Sequence, residues 1–273
     1  MSYPRSFYTL PSGGGGGGSG LEVVREIDFT TDVSSLDMSA GAGTYTLNDA
    51  GGSAKATIVV GIDASGTAAT FTTLEVTSGT GLEVDVSASA NNKNFYLSVE
   101  LPATSDIDLD CVMLEFLIDD MAFGSGSGNC QAQFYLSQQA SVIRAQPSYG
   151  LNLTRNSGDS QTEYRSQRNY NGSATRSSSQ IVAGAVQPEQ HAQIICQNKG
   201  AQIYRDAGTA FTEPYTITTF TADTGTRTWS ATRPIGNTWT TPYASDFSYL
   251  AGTGDQISFV IKKIRLCKYS PAS

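Results

Sequence analysis

The chain has 273 residues, of which 15% are charged, with a formal net charge of −8. That balance argues against a general nucleic-acid or anionic-membrane binder, since both present phosphate to the protein, and no stretch approaches the ~18 consecutive apolar residues of a spanning helix. The charge is uneven: residues 1–140 hold 4 basic and 17 acidic side chains, net −13, and residues 141–273 hold 13 basic and 8 acidic, net +5. Such polarity suits head-to-tail self-association, or two differently charged faces of one monomer. Gly, Ser, Thr, Ala, Asn and Gln interleaved with Val, Ile, Phe and Tyr make a sheet-and-turn vocabulary.

Residues 1–20, MSYPRSFYTLPSGGGGGGSG, are an aromatic, proline-bearing peptide followed by six glycines. Glycine loses more backbone freedom on ordering than any other residue, so this segment reads as an arm that a partner surface must hold. Pro4 and Pro11 keep the peptide extended, and Tyr3, Pro4, Phe7, Tyr8 and Leu10 are its anchoring side chains. The start has no apolar h-region, so neither a signal peptide nor a membrane insertion is expected.

From residue 21 onward, strand patterns follow one another almost to the end: 21–29, 55–63, 68–76, 81–87, 94–101, 111–118, 131–137, 148–154, 190–197, 200–205 and 256–269. Turn clusters such as Gly124-Ser-Gly-Ser-Gly128 separate them. In the last segment Ile257, Phe259 and Ile261 alternate; Lys262-Lys263 intervene; and Ile264 and Leu266 resume out of phase, which predicts a β-bulge. Residues 155–180 and 220–250 lack a clean period and read as long loops or irregular edges, with a helical turn allowed at 245–250. No fixed-period repeat is visible. Many short antiparallel-type strands in a domain of this length predict two domains by role: an arm over 1–20 and, over 21–273, an all-β, two-sheet antiparallel jelly-roll sandwich.

Cys111, Cys130, Cys196 and Cys267 are widely spaced, and three of them sit in apolar strand-like runs, so they read as reduced, buried thiols. Glu115-Phe-Leu-Ile-Asp-Asp120 is the nearest match to the E-x-D-x-(x)-E signature of jelly-roll glycosidases. Leu117 takes the middle acid's place, however, and a strand puts Glu115 and Asp119 about 13 Å apart, too far for a retaining pair. Asp106-Ile-Asp-Leu-Asp110 begins like a calcium loop, but Cys111 and Leu117 stand where glycine and glutamate belong. His191, the only histidine, lies in an ordinary strand pattern. No catalytic residue, metal or cofactor is expected. Two segments suit glycan binding, because aromatic rings stack on sugars and amides satisfy hydroxyls. One, residues 163–176, carries Tyr164, Arg165, Arg168 and Tyr170; the other, residues 227–249, carries Trp229, Arg233, Asn237, Trp239, Tyr243 and Tyr249. Tyr, Trp and Arg are equally at home in subunit contacts.

Arg25-Glu-Ile-Asp-Phe-Thr-Thr31, Thr77-Ser-Gly-Thr-Gly-Leu-Glu-Val84 and Gly254-Asp-Gln-Ile-Ser-Phe-Val-Ile-Lys-Lys-Ile-Arg-Leu266 resemble the concanavalin A-like (laminin-G-like) jelly rolls of tailed-bacteriophage virion proteins. Ser78 stands where that pattern carries asparagine. The resemblance implies a lectin-like sandwich mounted on a virus particle, with first and last strands close together. Expected partners are other virion proteins through the arm, further copies in a homo-oligomer such as a trimer, and a host surface glycan. The expected role is tail fibre with host attachment, or capsid decoration; a polysaccharide-degrading glycosidase is the alternative.

Overall fold

A computed structural model of the chain describes residues 21–61, 67–101, 107–108, 111–124, 126, 128–137, 148–156, 161–170, 173–176, 180–183, 185–186, 188–197, 200–206, 227–228, 238–239 and 243–269. In chain order the strands are β1 Leu21–Asp28, β2 Leu36–Asp37, β3 Gly43–Asn48, β4 Ala54–Gly61, β5 Thr67–Ala68, β6 Thr70–Thr77, β7 Gly81–Ser87, β8 Lys93–Glu100, β9 Ile107–Asp108, β10 Cys111–Phe123, β11 Cys130–Ser137, β12 Ser148–Arg155, β13 Gln161–Tyr170, β14 Ser173–Arg176, β15 Gln180–Ala183, β16 Gln190–Gln197, β17 Gly200–Asp206, β18 Arg227–Thr228, β19 Thr238–Trp239, β20 Tyr243–Leu250 and β21 Gln256–Tyr269. The described residues contain no helix.

Two large sheets form the sandwich. The first runs β18-β17-β16-β10-β21-β7-β6-β2, with β1 also on β21; the second runs β14-β13-β12-β11-β20-β8-β4-β3, with β15 on β13 and β5 on β8. Pairing is antiparallel except for the two-residue β5–β8 contact. One continuous core lies between the sheets. Leu82, Val84 and Val86, Val112, Leu114, Phe116 and Ile118, and Ile257, Phe259 and Ile261 line it from the first sheet; Phe95, Leu97 and Val99 with Ala132, Phe134 and Leu136 line it from the second. Phe134 meets Phe259 edge-on at 5.3 Å, joining the two sheets at their centre. The fold is the all-β, two-sheet antiparallel jelly-roll sandwich expected from the sequence.

The closing strand organises the first sheet. β21 pairs with β10 on one side; on the other it pairs with β7 through residues 256–261 and with β1 through 263–269. The partner changes at Lys262. There the register with β10 slips between Leu117 and Ile118, opposite Lys263 and Ile261, which is the bulge expected from the phase change. The Lys262 carbonyl accepts the Phe29 N–H at 2.9 Å, and its ammonium donates to the Thr80 carbonyl at 2.9 Å. The Thr30 carbonyl in turn accepts the Gly79 N–H at 2.9 Å. The three segments that carry the family resemblance therefore meet at one junction. Gly81 has φ +136°, and a Cβ there would press on Val260 and the Ile261 carbonyl, so only glycine lets β7 start against β21.

Two expectations are refined. Residues 155–180, read as a long loop or an irregular edge, take the second course: β13 occupies 161–170 at the edge of the second sheet, and β14 and β15 pair with it. QTEYRSQRNY contains no aliphatic residue, so its alternation had nothing apolar to display. Residues 245–250 are not helical but belong to β20, which hydrogen-bonds to β11 and β8 along its whole length. Both neighbours stay in register because its side chains alternate between the faces.

One end of the sandwich is held by Asp255, which is fully buried. Its carboxylate accepts the Gly128 N–H at 2.9 Å and the Gly252 N–H at 2.8 Å, and pairs with the Arg155 guanidinium at 3.3 Å. Arg155 also donates to the Gly126 and Gly128 carbonyls. Gly126, Gly128, β12 and the β20–β21 turn are thus fixed to one charge pair. Cys130 sits beside it, also bonded by Arg155; burial pushes its thiol up to about 12, with the Arg155 charge opposing. Cys130 and Cys267 are both buried, and neither forms a disulfide.

Removing the carboxylate would strand two N–H groups and a largely buried guanidinium, so Asp255→Ala should cost about 3–5 kcal/mol in denaturant unfolding. Adding Arg155→Met should recover part of that loss, because it removes the uncompensated charge.

Candidate functional site

Alternation along the second sheet sends half of each central strand into the core and half to the outer face. β8 gives Asn94, Tyr96, Ser98 and Glu100 to the outer face; β20 gives Tyr243, Ser245, Phe247 and Tyr249; β11 gives Gln131, Gln133, Tyr135 and Ser137; and β12 adds Asn152 and Thr154. Register aligns these in rows across the strands: Gly61, Tyr96, Phe247, Gln133 and Asn152 in one, and Val59, Ser98, Ser245, Tyr135 and Gly150 in the next.

Hydroxyls and amides along the rows satisfy one another. Ser245 Oγ lies 2.8 Å from both Ser98 Oγ and Ser137 Oγ, a three-strand serine ladder. Gln133 donates to Gln131 at 2.9 Å and accepts the Tyr135 hydroxyl, and Thr154 donates to Asn152 at 2.8 Å. Asn156 donates to Glu163 at 2.9 Å at the far side. Tyr135 and Phe247 are buried and form an aromatic cluster with the half-buried Tyr96 and Tyr249. Two glycines make room for rings: a Cβ on Gly61 would collide with the Tyr96 ring, and one on Gly150 with Tyr135.

The accessible margin of this face is built by Tyr96, Tyr243 and Tyr249, all half-buried, and the exposed Asn92. Tyr249 donates to Asn92 Oδ1 at 2.6 Å, and Asn92 holds φ +57° to meet it. Burial raises the Tyr96 phenol above its ordinary pKa; burial and the neighbouring Glu100 charge do the same for Tyr243. These tyrosines are therefore neutral hydroxyl-bearing rings, suited to stacking and hydrogen bonding together.

Among the residues singled out from sequence, Tyr243 and Tyr249 fall on this face, Tyr243 between Ser137 and Glu100 and Tyr249 between Gln131 and Asn94. Tyr164, Arg165, Arg168 and Tyr170 lie on β13, opposite Leu153, Asn152, Tyr149 and Ser173 in register; Arg165 extends the Gly61–Asn152 row, and Tyr164 and Arg168 take intervening positions. Trp239 pairs with Ile107 in β19–β9, which also places Asp108 of the acidic triplet opposite Thr238. Trp229, Arg233 and Asn237, and Tyr3, Pro4, Phe7, Tyr8 and Leu10 of the arm, lie outside the described residues. Tyr96, Tyr135 and Phe247 were not among the residues singled out from sequence. Their signal was the polar-and-aromatic alternation of QAQFYLS and YASDFSYL, a period usually sought in aliphatic residues.

The glycosidase-like strand is on the other sheet. Glu115 is fully buried on β10, between Gln193 and Arg265 in register. Its neighbours form a charge ladder: Arg265 bonds Glu26 at 2.6 Å, and Lys263 bonds Asp28 at 2.9 Å and Glu26 at 3.4 Å. Leu117 stands opposite Lys263, and Asp119 lies 3.6 Å from the Lys262 ammonium. Among the described residues no cluster of three or more His, Cys, Asp or Glu is arranged to hold a metal ion.

No protein-family model and no curated protein matches the chain. Solved structures similar to it include the CBM2 module of the evolved Dit of Lactobacillus casei BL23 phage J-1, at 13% identity over 93% of this chain and 98% of that one, TM-score 0.49. The catalytic domain of an endo-1,3-β-glucanase (laminarinase) from Thermotoga petrophila RKU-1 is similar at 10% identity over 92% and 98%, TM-score 0.46. The carbohydrate recognition domain of Emp47p is similar at 12% identity over 88% and 98%, TM-score 0.45.

The core-facing side of β20 carries an ionisable group, Asp246, between Phe134 and Leu97 in register. Burial pushes its carboxyl well above the ordinary range, against hydrogen bonds from the Ser248 hydroxyl and the Gln133 N–H. An acid with a raised folded pKa adds stability below its unfolded value of about 3.9 and loses it as pH rises through the folded value. Asp246→Asn should therefore melt several degrees above the parent at pH 8, with the gap closing toward pH 4. An equal gap at both pH values in thermal melts would refute the assignment.

Proposed function

We propose that the protein is a non-enzymatic, glycan-binding component of a tailed-phage particle, anchored by residues 1–20 and carrying its jelly roll outward. The observation that carries glycan binding is the outer face of the second sheet, where half-buried Tyr96, Tyr243 and Tyr249 border a field of serine hydroxyls and Asn and Gln amides. Rings of this kind stack on the apolar faces of sugars, and the amides exchange hydrogen bonds with sugar hydroxyls. The virion role is supported by the resemblance of three segments, and these segments converge on the Lys262 junction. A non-enzymatic role is supported by the surroundings of Glu115 and Asp119: one is fully buried in register with Arg265, and the other is paired with Lys262.

On a glycan array of bacterial surface polysaccharides the chain should bind, with Tyr96→Ala and Tyr249→Ala each weakening the signal about tenfold. Glycan release lost in Glu115→Gln would instead establish the glycosidase. Deleting residues 2–12 should leave a folded, glycan-binding chain that no longer incorporates into particles, and the copy number in purified particles separates a tail fibre from capsid decoration. Normal incorporation of the deleted chain would refute the anchoring role.

A further inference from the structure

Exposure divides the outer face of the second sheet along its strands. Toward β11 and β12 the outer positions are closed: Phe247, Gln133, Tyr135 and Asn152 are at most 1% exposed. Toward β4 and β3 they open, with Tyr96, Val59 and Thr57 half-buried and Thr44 and Thr46 exposed. Tyr243 and Tyr249, at the two ends of β20, are half-buried as well. What reaches solvent is therefore a strip that follows β8, and a ligand on it cannot run across the sheet toward β12.

Three rings mark the strip. Register puts Tyr249 beside Asn94, Tyr96 beside Gly61, and Tyr243 beside Glu100. Asn94 to Glu100 is six steps along β8, so the outer two rings stand about 20 Å apart along the strand. Stacking on all three needs a ligand several sugar rings long. Tyr96 is laid down between them: a Cβ on Gly61 would strike its Cζ and Oη atoms, so the ring tip takes the space of the missing side chain and lies over β4. Ser98 and Ser245, between the rings, are fully buried and hydrogen-bonded to each other, which leaves sugar hydroxyls to the phenols and to Glu100. No ion pair among the described residues uses Glu100, whereas Lys55, the other charge at an outer position of β4 or β8, is paired with Asp32 at 2.9 Å. Burial and, after it, the Glu100 charge raise the Tyr243 phenol, which places that carboxylate beside the ring at the end of the strip. A carboxylate can accept two hydroxyls at once, and it repels carboxylates and phosphates on a ligand.

We propose that the ligand is an uncharged polysaccharide held through the interior of its chain, lying along β8 from Tyr249 over Tyr96 to Tyr243, with Glu100 accepting a pair of adjacent sugar hydroxyls and excluding acidic chains. The inference rests on the glycan-binding reading of this face and adds to it the ligand's length, direction and charge.

The full-length chain is titrated calorimetrically with neutral gluco-, galacto-, manno- and rhamno-oligosaccharides, from single sugars to chains longer than the strip, and with uronate- and phosphate-bearing glycans. Affinity for the preferred neutral series should rise at least about tenfold from the single sugar to a chain that spans the strip and then level off. Glu100→Gln should weaken the long chains about tenfold, and Glu100→Lys should admit uronate-bearing chains that the parent refuses. Glu100 is half-buried at the face, so these replacements leave the core intact, and far-UV circular dichroism checks the fold of each variant. Single sugars that bind as tightly as chains, a parent that prefers acidic glycans, or long-chain binding indifferent to Glu100→Gln would overturn this inference and leave glycan binding itself standing. Failure to bind any of the glycans would overturn both.

Discussion

The sandwich depends on one strand changing partner in mid-course. β21 must serve β7 and β1 on the same edge while keeping β10 on the other, and a regular strand cannot do this without turning its apolar side outward. The extra residue at Lys262 absorbs the slip: Ile257, Phe259 and Ile261 face the core before it, and Ile264 and Leu266 face it after. The Phe29 N–H and the Thr80 carbonyl are both satisfied by the bulged residue itself. First strand, last strand and the β6–β7 turn are thereby held at one point.

Polar groups are handled differently in the two sheets. The first carries a charge ladder across β1 and β21, in which the ammonium of Lys263 is pushed down by burial and held up more strongly by Asp28 and Glu26. The second carries neutral groups that satisfy one another: serines, glutamines and tyrosines in register rows. Among the described residues the second sheet pairs that chemistry with aromatic rings, which is why the proposed glycan contact is placed there. The acidic strand that resembles a glycosidase belongs to the sheet where carboxylates already serve ion pairs.

Much of the fold was legible because burial on one face writes itself into aliphatic alternation. The strand over 81–87, the long strand over 111–118 and the phase change at Lys262 were all readable in that way. β13 and β20 were not. β13 has no aliphatic residue, and β20 puts Ala244, Asp246, Ser248 and Leu250 toward the core, two of them polar. Their strand character comes from neighbours on both edges, which no local pattern contains.

By itself the sequence determined the all-β class, most of the strands, the bulge, the burial of Cys130 and Cys267 and the segments that make the junction, because each of these is enforced by local side-chain chemistry. Tertiary structure alone decided which residues share a face. Tyr96, Phe247 and Tyr135 come from strands far apart in the chain and form one row system through hydrogen-bond register. Asp255, Arg155 and Gly128 meet for the same reason. A candidate binding surface on a sheet is a property of pairing order, and pairing order is settled by the packing of the whole core.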